Sequence, residues 1–419
     1  MVITQKRRPR SRWSELPTEL LELIMKKLAS VDILRFEAVC SCWNQAAKSY
    51  ISAPYFTLDM PQTPWLMIPG GEENHVHTRR FFNLAEFKYY TIKNAFGDIP
   101  DAWCVGSSHG WLVLTEEKGT ACLLNPFSGD RIELPSIRTL HPVISKDYIA
   151  KAVTSSKPPS SSSSSSSKDF VVAIILYSNT WITQLAFHRH GDDAWTGFGQ
   201  KGTVYHDGMF HSTSGHFFAL ATDCSVEVWD LRKCFPIKTL HLQPFRHRQL
   251  NNDDDFKFDI QNYLVESLGE ILLVRRFIVT KIFYHKDLPD VIRPYKTSHF
   301  YIYRQKSTSL GFEWEKVESL HNRAVFLGGN HSMSLSSQNF PECEENSIYF
   351  TDHRWEMNPN KCLSGKKRIG YGGHDLGVYN VKDNIMKPMP CYLTFDRWII
   401  NPPPFWIVPD IIHGFGNGS

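Results

Sequence analysis

The sequence predicts an α+β multidomain chain: a small N-terminal three-helix module followed by an all-β, propeller-like domain of five to seven blades. Three observations carry this. Sustained helical periodicity is confined to residues 14–50. After Pro54, short apolar or aromatic runs recur between Gly, Asn, Asp and Pro, as many short strands require. Several of those runs repeat in one order of strand, strand, tight turn and strand, which marks a repeat architecture.

At 419 residues the chain fits two or three folded units. Hydrophobic content of 42% and charged content of 21% are ordinary for a globular protein. A net charge of +3 excludes a nucleic-acid-binding polycation. Lys6, Arg7, Arg8, Arg10 and Arg12 crowd the N-terminus. A nuclear localisation patch or a solvated, disordered arm over residues 1–12 accounts for them. The nine Cys form no C-x-x-C pair and follow no signal-peptide pattern, so they read as reduced thiols of the cytoplasm or nucleus. The N-x-S sequons at Asn330 and Asn417 are then coincidences. No apolar run approaches the ~18–20 residues of a membrane span. The sequence thus predicts neither a membrane nor a nucleic-acid partner.

In the helical module, Leu20, Ile24 and Leu28 recur at i, i+4 and i+8, flanked by Leu21 and Leu23. Glu22 and Lys26 form a favourable i,i+4 pair. Pro17 suits a first helical turn, where its missing N–H is no loss. Ser30 can cap a second helix with Asp32 in its first turn. A third short helix carries Trp43, Ala46 and Ala47, and Pro54 ends the module. It holds more apolar residues than three short helices bury among themselves, which calls either for a partner or for packing on the rest of the chain.

The run from Trp13-Ser14-Glu15-Leu16-Pro17-Thr18-Glu19-Leu20-Leu21-Glu22-Leu23-Ile24 through Leu28 and Ile33-Leu34-Arg35-Phe36-Glu37-Ala38-Val39-Cys40 to Trp43 resembles an F-box. That resemblance covers residues 13–53 and implies a module that docks on a Skp1-like protein, and indirectly on a cullin. It implies Skp1 contacts from Leu16, Pro17, Leu20, Ile24, Leu34, Val39, Cys40 and Trp43. Phe36 departs from the smaller aliphatic or Arg-rich sequence of many F-boxes.

The remainder reads as strands rich in β-branched and aromatic residues. One unit runs Gly110-Trp111-Leu112-Val113-Leu114, then Ala121 to Leu124, a turn at Asn125-Pro126-Phe127-Ser128-Gly129, and a third strand to Leu134. The order recurs from Asp207 to Leu240, from Leu268 to Val317 and from Asn346 to Pro388, with a weaker copy from Phe170 to Trp195. Radially repeated antiparallel units are propeller blades. Residues 54–100 read as a connector with possible first strands, and residues 101–410 as the propeller. Residues 411–419 read as a flexible tail. Tyr392-Leu393-Thr394 and the strand through Trp65 lack repeat partners and could complete one shared blade. Residues 154–168, with an unbroken serine run from Ser160 to Ser167, read as a disordered loop between strands.

His109-Gly110-Trp111-Leu112, the Asn125–Gly129 element, Ile348-Tyr349-Phe350-Thr351-Asp352 and Gly373-His374-Asp375-Leu376-Gly377-Val378-Tyr379-Asn380 resemble the KIB-type F-box-associated β-propeller of plants. With the F-box, this resemblance spans most of the chain and implies a receptor for a protein target.

Motifs for chemistry are weak. Gly106-Ser107-Ser108-His109-Gly110 matches G-x-S-x-G, but a strand follows where a nucleophile elbow needs a helix. Gly370-Tyr371-Gly372-Gly373 lacks the helix and Lys-Ser/Thr pair of a nucleotide loop, and Lys366-Lys367-Arg368 beside it reads as a solvated loop. His188, His190, His206, Asp192, Asp193 and Asp207 lack metal-ligand spacing. Asp253-Asp254-Asp255 lacks an EF-hand glycine. Val228-Trp229-Asp230 follows Gly215-His216 too closely for a WD repeat. No catalytic residue, metal or cofactor is expected.

Two functions remain. One is a non-catalytic adaptor that holds Skp1 through the F-box and an unknown protein substrate through propeller loops near Trp103, Trp181, Trp195 and Trp355, each of which reads first as a core residue and second as a contact. The other is a ligand- or sugar-binding or enzymatic propeller with a non-degradative role.

Overall fold

Apolar runs bounded by turn residues become strands when cross-strand neighbours bury them. In the computed structural model they pair into six sheets. The structure describes residues 13–28, 30–51, 62–69, 78–140, 149–159, 169–176, 185–233, 235–242, 258–280, 295–308, 311–352, 373–391 and 404–410. Residues 1–12, Asp253–Asp255, Trp181, Trp355, Lys366–Arg368, Gly370–Gly372, Tyr392–Thr394, the serine run Ser160–Ser167 and residues 411–419 lie outside that set. Clustering of backbone contacts separates Thr63–Val408 from the remainder as two compact units.

The N-terminal unit holds α1 (Thr18–Met25), α2 (Ser30–Glu37) and α3 (Ser41–Ile51), after a short 3-10 turn at Trp13–Glu15. Its small core is Leu21, Met25, Phe36, Ala46, Ala47 and Tyr50.

The larger unit is a six-bladed propeller. Its second blade is β4 (Trp103–Ser108), β5 (Trp111–Thr115), β6 (Ala121–Leu124) and β7 (Arg131–Leu134). The third is β8 (Ile149–Thr154), β9 (Val171–Leu176), β10 (Leu185–Arg189) and β11 (Thr196–Phe198). The fourth is β12 (Tyr205–Phe210), β13 (Phe217–Ala221), β14 (Val226–Asp230) and β15 (Ile237–Leu242). The fifth is β16 (Asp259–Ser267), β17 (Glu270–Thr280), β18 (Tyr295–Thr308) and β19 (Gly311–Val317). The sixth has five strands: β20 (Arg323–Leu327), β21 (Met333–Ser336), β22 (Ser347–Phe350), β23 (Gly377–Asn380) and β24 (Ile385–Pro388). Here β20 pairs with β22 in parallel, the exception to antiparallel pairing among the described strands.

The first blade joins the two ends of the unit. β1 (Trp65–Pro69) pairs with β2 (Thr78–Asn83), which pairs with β3 (Lys88–Lys93). The fourth strand is β25 (Phe405–Ile407), with Trp65 opposite Ile407 and Met67 opposite Phe405. The strand through Trp65 thus has a C-terminal partner, supplied by Phe405–Ile407. Strands β25, β4, β8, β12, β16 and β21 pack in that succession and form the inner ring. Five of the six blades are the five repeats legible in the sequence.

The core is accordingly a ring of separate clusters between neighbouring blades. Val113, Leu123, Ile137, Val172 and Trp195 fill the space between blades two and three. Leu66, Phe82, Phe326, Tyr349, Val378 and Trp406 fill that between six and one. Inner strands approach very closely at Gly106, where a Cβ would lie 2.0 Å from the Ala152 carbonyl oxygen. A β-bulge between Cys104 and Gly106 accompanies that approach.

Candidate functional site

The first helix presents more apolar surface than its module buries. Leu21 and Met25 face the module's core, with Leu28 against it. Leu20 remains 46% exposed and Leu23 57%, with Ile24 beside them. The inward stripe is therefore Leu21, Met25 and Leu28, while Leu20 and Ile24 of the i, i+4, i+8 pattern turn outward. With apolar residues at 20, 21, 23, 24, 25 and 28, the helix is apolar most of the way round, and period alone cannot select its inner face.

Pro17 sits just before the helix at φ −56° and ψ 145°, one position earlier than expected. Its carbonyl accepts the Leu20 and Leu21 amides at 3.1 and 3.2 Å. Leu16 and Trp43 pack against the core as half-buried residues. The Trp43 ring lies 4.3 Å from Phe36, and its indole N–H donates to the Trp13 carbonyl at 2.9 Å. The Phe36 departure thus has a use: it is the floor on which Trp43 rests. Cys40 is half-buried, while Val39 is exposed. Leu34 falls within α2, and its side chain lies outside the described set. Together Pro17, Leu20, Leu23, Ile24 and Val39 give this module solvent-facing apolar surface, which fits a second protein.

The tryptophans on the propeller divide. Trp195 belongs to the core: it is buried, and its indole N–H donates to the Pro135 carbonyl at 2.8 Å. Trp103 is half-buried at the start of β4 and packs against the same cluster.

The motif residues are spent on structure. Ser108 ends β4 at a tight hairpin, with His109 at φ 52° and Gly110 at φ 82°, and its hydroxyl accepts the Thr154 amide at 3.2 Å. The Asn125 side chain accepts the Phe127 and Ser128 amides at 2.9 and 3.2 Å, forming an Asx turn. Phe127 then wedges between Trp65 and Phe81 of the first blade, at 5.6 and 5.0 Å. His188 Nε2 lies 3.0 Å from the Asp192 carbonyl in blade three. His206 Nδ1 lies 3.2 Å from Asn262 Nδ2, and Asp207 accepts the Gly208 and Leu264 amides as well as the Lys151 ammonium. These groups do not converge on one point.

The motifs around Asp352 and Asp375 meet at a buried ion network that the sequence did not announce. Arg276, from the middle of β17, is fully buried. It donates to Asp375 Oδ2 at 2.8 Å, the Asp375 carbonyl at 2.9 Å, the Thr351 carbonyl at 2.9 Å, Tyr263 OH at 3.2 Å and Thr297 Oγ1 at 2.7 Å. Asp375 Oδ2 also accepts Thr297 N and Oγ1, and Asp352 accepts Tyr295 OH at 2.5 Å. Burial, with Asp352 next to it, raises the Tyr295 pKa, so the phenol stays a donor. The readable signal was Arg275-Arg276 inside an apolar strand, since a buried arginine demands anionic partners.

A second polar cluster lies on the inner ring. The His331 amide donates to the Ser107 carbonyl at 2.8 Å, and its ring lies 6.2 Å from that of His109. Desolvation, with His109 and Lys151 adding positive charge, pushes the His331 pKa down to about 3. A lowered imidazole pKa favours the neutral folded form. Its contribution is fully present above the unfolded value of about 6.5 and is lost as pH falls toward about 3. The ring is partly solvated, so the slope falls below the limit of about 1.4 kcal/mol per pH unit. We expect the thermal midpoint of the chain to drop between pH 6 and pH 4, and the drop to be shallower in His331→Gln. Equal slopes in differential scanning fluorimetry would assign the acid sensitivity to other groups.

Comparison with known proteins gives two family matches. The family model described as KIB1-4 beta-propeller matches residues 81–380, and that described as F-box-like matches residues 13–51. Among curated proteins of Arabidopsis thaliana, F-box protein SKIP23 is 26% identical over 442 aligned positions, covering 94% of this chain and 95% of that protein. F-box/kelch-repeat protein KIB1 is 25% identical over 370, covering 86% and 83%. F-box only protein 7 is 23% identical over 352, covering 78% and 81%. Among the described residues, no helix is long and apolar enough to cross a membrane.

Proposed function

As the chain belongs to the KIB1-4 beta-propeller family and carries an F-box-like domain, we propose that it is the substrate-recognition subunit of a Skp1–cullin–F-box ubiquitin ligase. The F-box-like module holds a Skp1-like protein, and through it the cullin, while the propeller holds a protein target. The observation that carries this is the outward face of Leu20, Leu23 and Ile24 on a module whose own core is already filled by Leu21, Met25, Phe36, Ala46, Ala47 and Tyr50. Such surface is stable in water only at a cost, which a partner's apolar groove offsets. Leu16, Pro17, Leu34, Val39, Cys40 and Trp43 complete the proposed Skp1 face.

The chain performs no covalent step in this reading. It raises the effective concentration of a target lysine near the ubiquitin-conjugating enzyme. It works in the cytoplasm or nucleus, where Skp1 and cullin are found.

Co-precipitation with a Skp1-like protein tests the reading. Leu20→Asp with Ile24→Asp places two carboxylates in the proposed contact and should weaken binding by about 2 kcal/mol or more, roughly 30-fold. Both positions are solvent-facing, so thermal unfolding of the free chain should hardly change. Leu16→Ala with Pro17→Ala should also reduce capture. Failure of the wild-type chain to bind any Skp1-like protein would sink the adaptor reading and favour a ligand-binding propeller.

A further inference from the structure

The outer edges of the six blades are not alike. β7 exposes Arg131 and Glu133, β3 exposes Lys88, Thr91 and Lys93, and β19 exposes Glu313 and Lys316. The last strand of blade six carries Lys387 and Pro388 beside its one exposed apolar residue, Ile385. Charge and proline at an edge are what prevents another strand from adding to it. On blade four the outermost strand, β15, exposes Ile237 and Leu240, and Phe235 just before it is 80% exposed.

The register sets Ile237 and Leu240 on one face, and Phe235 leads into it two residues earlier. Ile237 pairs with Asp230 and Lys238 with Trp229, while Leu240 pairs with Val228, so Thr239 is an inserted residue. The insertion flips the alternation and returns Leu240 to the face of Ile237. Thr239 Oγ1 donates inward to the Val228 carbonyl at 3.1 Å. The lysine of this edge does not guard it. Lys238 Nζ turns back to Glu227 at 2.5 Å and lies over the Trp229 ring.

Charge completes the picture. Among the described residues, 231–242 include Arg232, Lys233 and Lys238 and no carboxylate, and the Arg189 guanidinium from β10 donates to the Leu231 and Lys233 carbonyls. The two carboxylates facing this edge from β14, Glu227 and Asp230, are each taken by a cation of the same edge, Lys238 and Arg232. A strand that added here would meet an apolar stripe beside four described cations, Arg189, Arg232, Lys233 and Lys238, set against two carboxylates, Glu227 and Asp230.

We propose that the outer edge of blade four is a docking site for an extended, acidic and apolar segment of a partner protein, which adds to β15 as a further antiparallel or parallel strand. Backbone hydrogen bonds supply the affinity. Alternate apolar side chains of the segment lie on Phe235, Ile237 and Leu240, and its carboxylates meet Lys233 and its neighbours. The proposal extends the adaptor reading by giving the target segment a place and a chemistry, and it rests on that reading only in calling the segment a target.

The probe is an acetylated, fluorescein-labelled peptide that alternates valine or isoleucine with glutamate or aspartate, titrated by fluorescence anisotropy against the full chain. The expected result is saturable binding that weakens as salt rises. Phe235→Glu with Ile237→Glu should raise the dissociation constant at least about tenfold, with the melting temperature kept. The same peptide N-methylated at alternate residues should lose binding, because strand addition needs its amides. Absence of binding to the wild type overturns the proposal. So does equal binding by the Phe235→Glu, Ile237→Glu chain or by the N-methylated peptide. Concentration-dependent dimers that the double variant abolishes, seen by sedimentation, would overturn it in favour of a second copy as occupant. Skp1 capture, run in parallel, separates the two readings: its loss with peptide binding intact fails the adaptor, and the reverse fails the edge.

Discussion

Arg276→Met should cost the propeller about 3–5 kcal/mol, the range for removing one partner of a buried ion pair. A methionine fills much of the volume, so the loss is electrostatic rather than steric. Asp375 keeps the two bonds from the Thr297 amide and hydroxyl but loses the guanidinium, and Asp352, 1% exposed, loses the Arg276 charge beside it. Tyr263 and the Thr351 carbonyl lose their donor at the same time. Arg276→Lys should rescue little, since five bonds in a plane need the guanidinium fork and its face over Phe350 at 4.6 Å. Urea denaturation of the chain would measure it. A cost under about 1 kcal/mol would mean that the carboxylates take up protons or water at little expense. Total stability of a domain is commonly 5–15 kcal/mol, so the expected loss is a large share.

Trp406→Ala should be nearly as damaging, about 3–5 kcal/mol. The indole is fully buried in a three-residue strand and stands edge-on to Phe326 at 5.0 Å and to Tyr349 at 6.2 Å. Those two residues belong to blade six, while the backbone of Trp406 pairs with Leu66 of blade one. One side chain thus joins the last blade to the first. The cavity left by alanine cannot collapse readily, since Phe405 and Ile407 on either side are themselves buried. Unfolding rates should rise as well, and limited proteolysis should cut the variant faster than the wild type. Unchanged proteolysis would show that closure depends on backbone pairing alone.

Much of this fold was legible because each blade restates a pattern. Gly110 to Leu134 and Leu268 to Val317 declare three strands each, to which the structure adds β4 and β16 on the inner ring, while in blade four Asp207 already marked the inner strand and the one missing from the repeat is β13. The inner strand β4 was hard to see because it packs against neighbours on both sides and carries small or polar residues such as Gly106 and Ser107 in place of apolar alternation. The first blade was invisible as a repeat because its strands lie at opposite ends of the unit. Trp65 announces a strand, but nothing local announces that Ile407 is its neighbour. The first helix was ambiguous in a different way: its residues were named, but spacing did not pick its inner face, because Leu20 and Leu21 are equally apolar and only the packing of Phe36 and Tyr50 chooses between them. The Arg276 network escaped because its base lies in β17 and its acids lie in the loops after β22 and before β23, far apart in the chain.

The closing strand also sets an order of events during synthesis. Trp65 leaves the ribosome roughly 340 residues before Ile407, which at ~5–20 residues per second is roughly 20–70 s. The F-box-like helices are complete before even that interval begins. For its duration β1 has an open backbone edge, exposed to any other nascent strand. A message cut short between the codons for Ile51 and Phe405 would therefore yield a chain with its three F-box-like helices encoded but its ring unsealed: on the proposed adaptor reading, a product that competes for the ligase without a finished receptor.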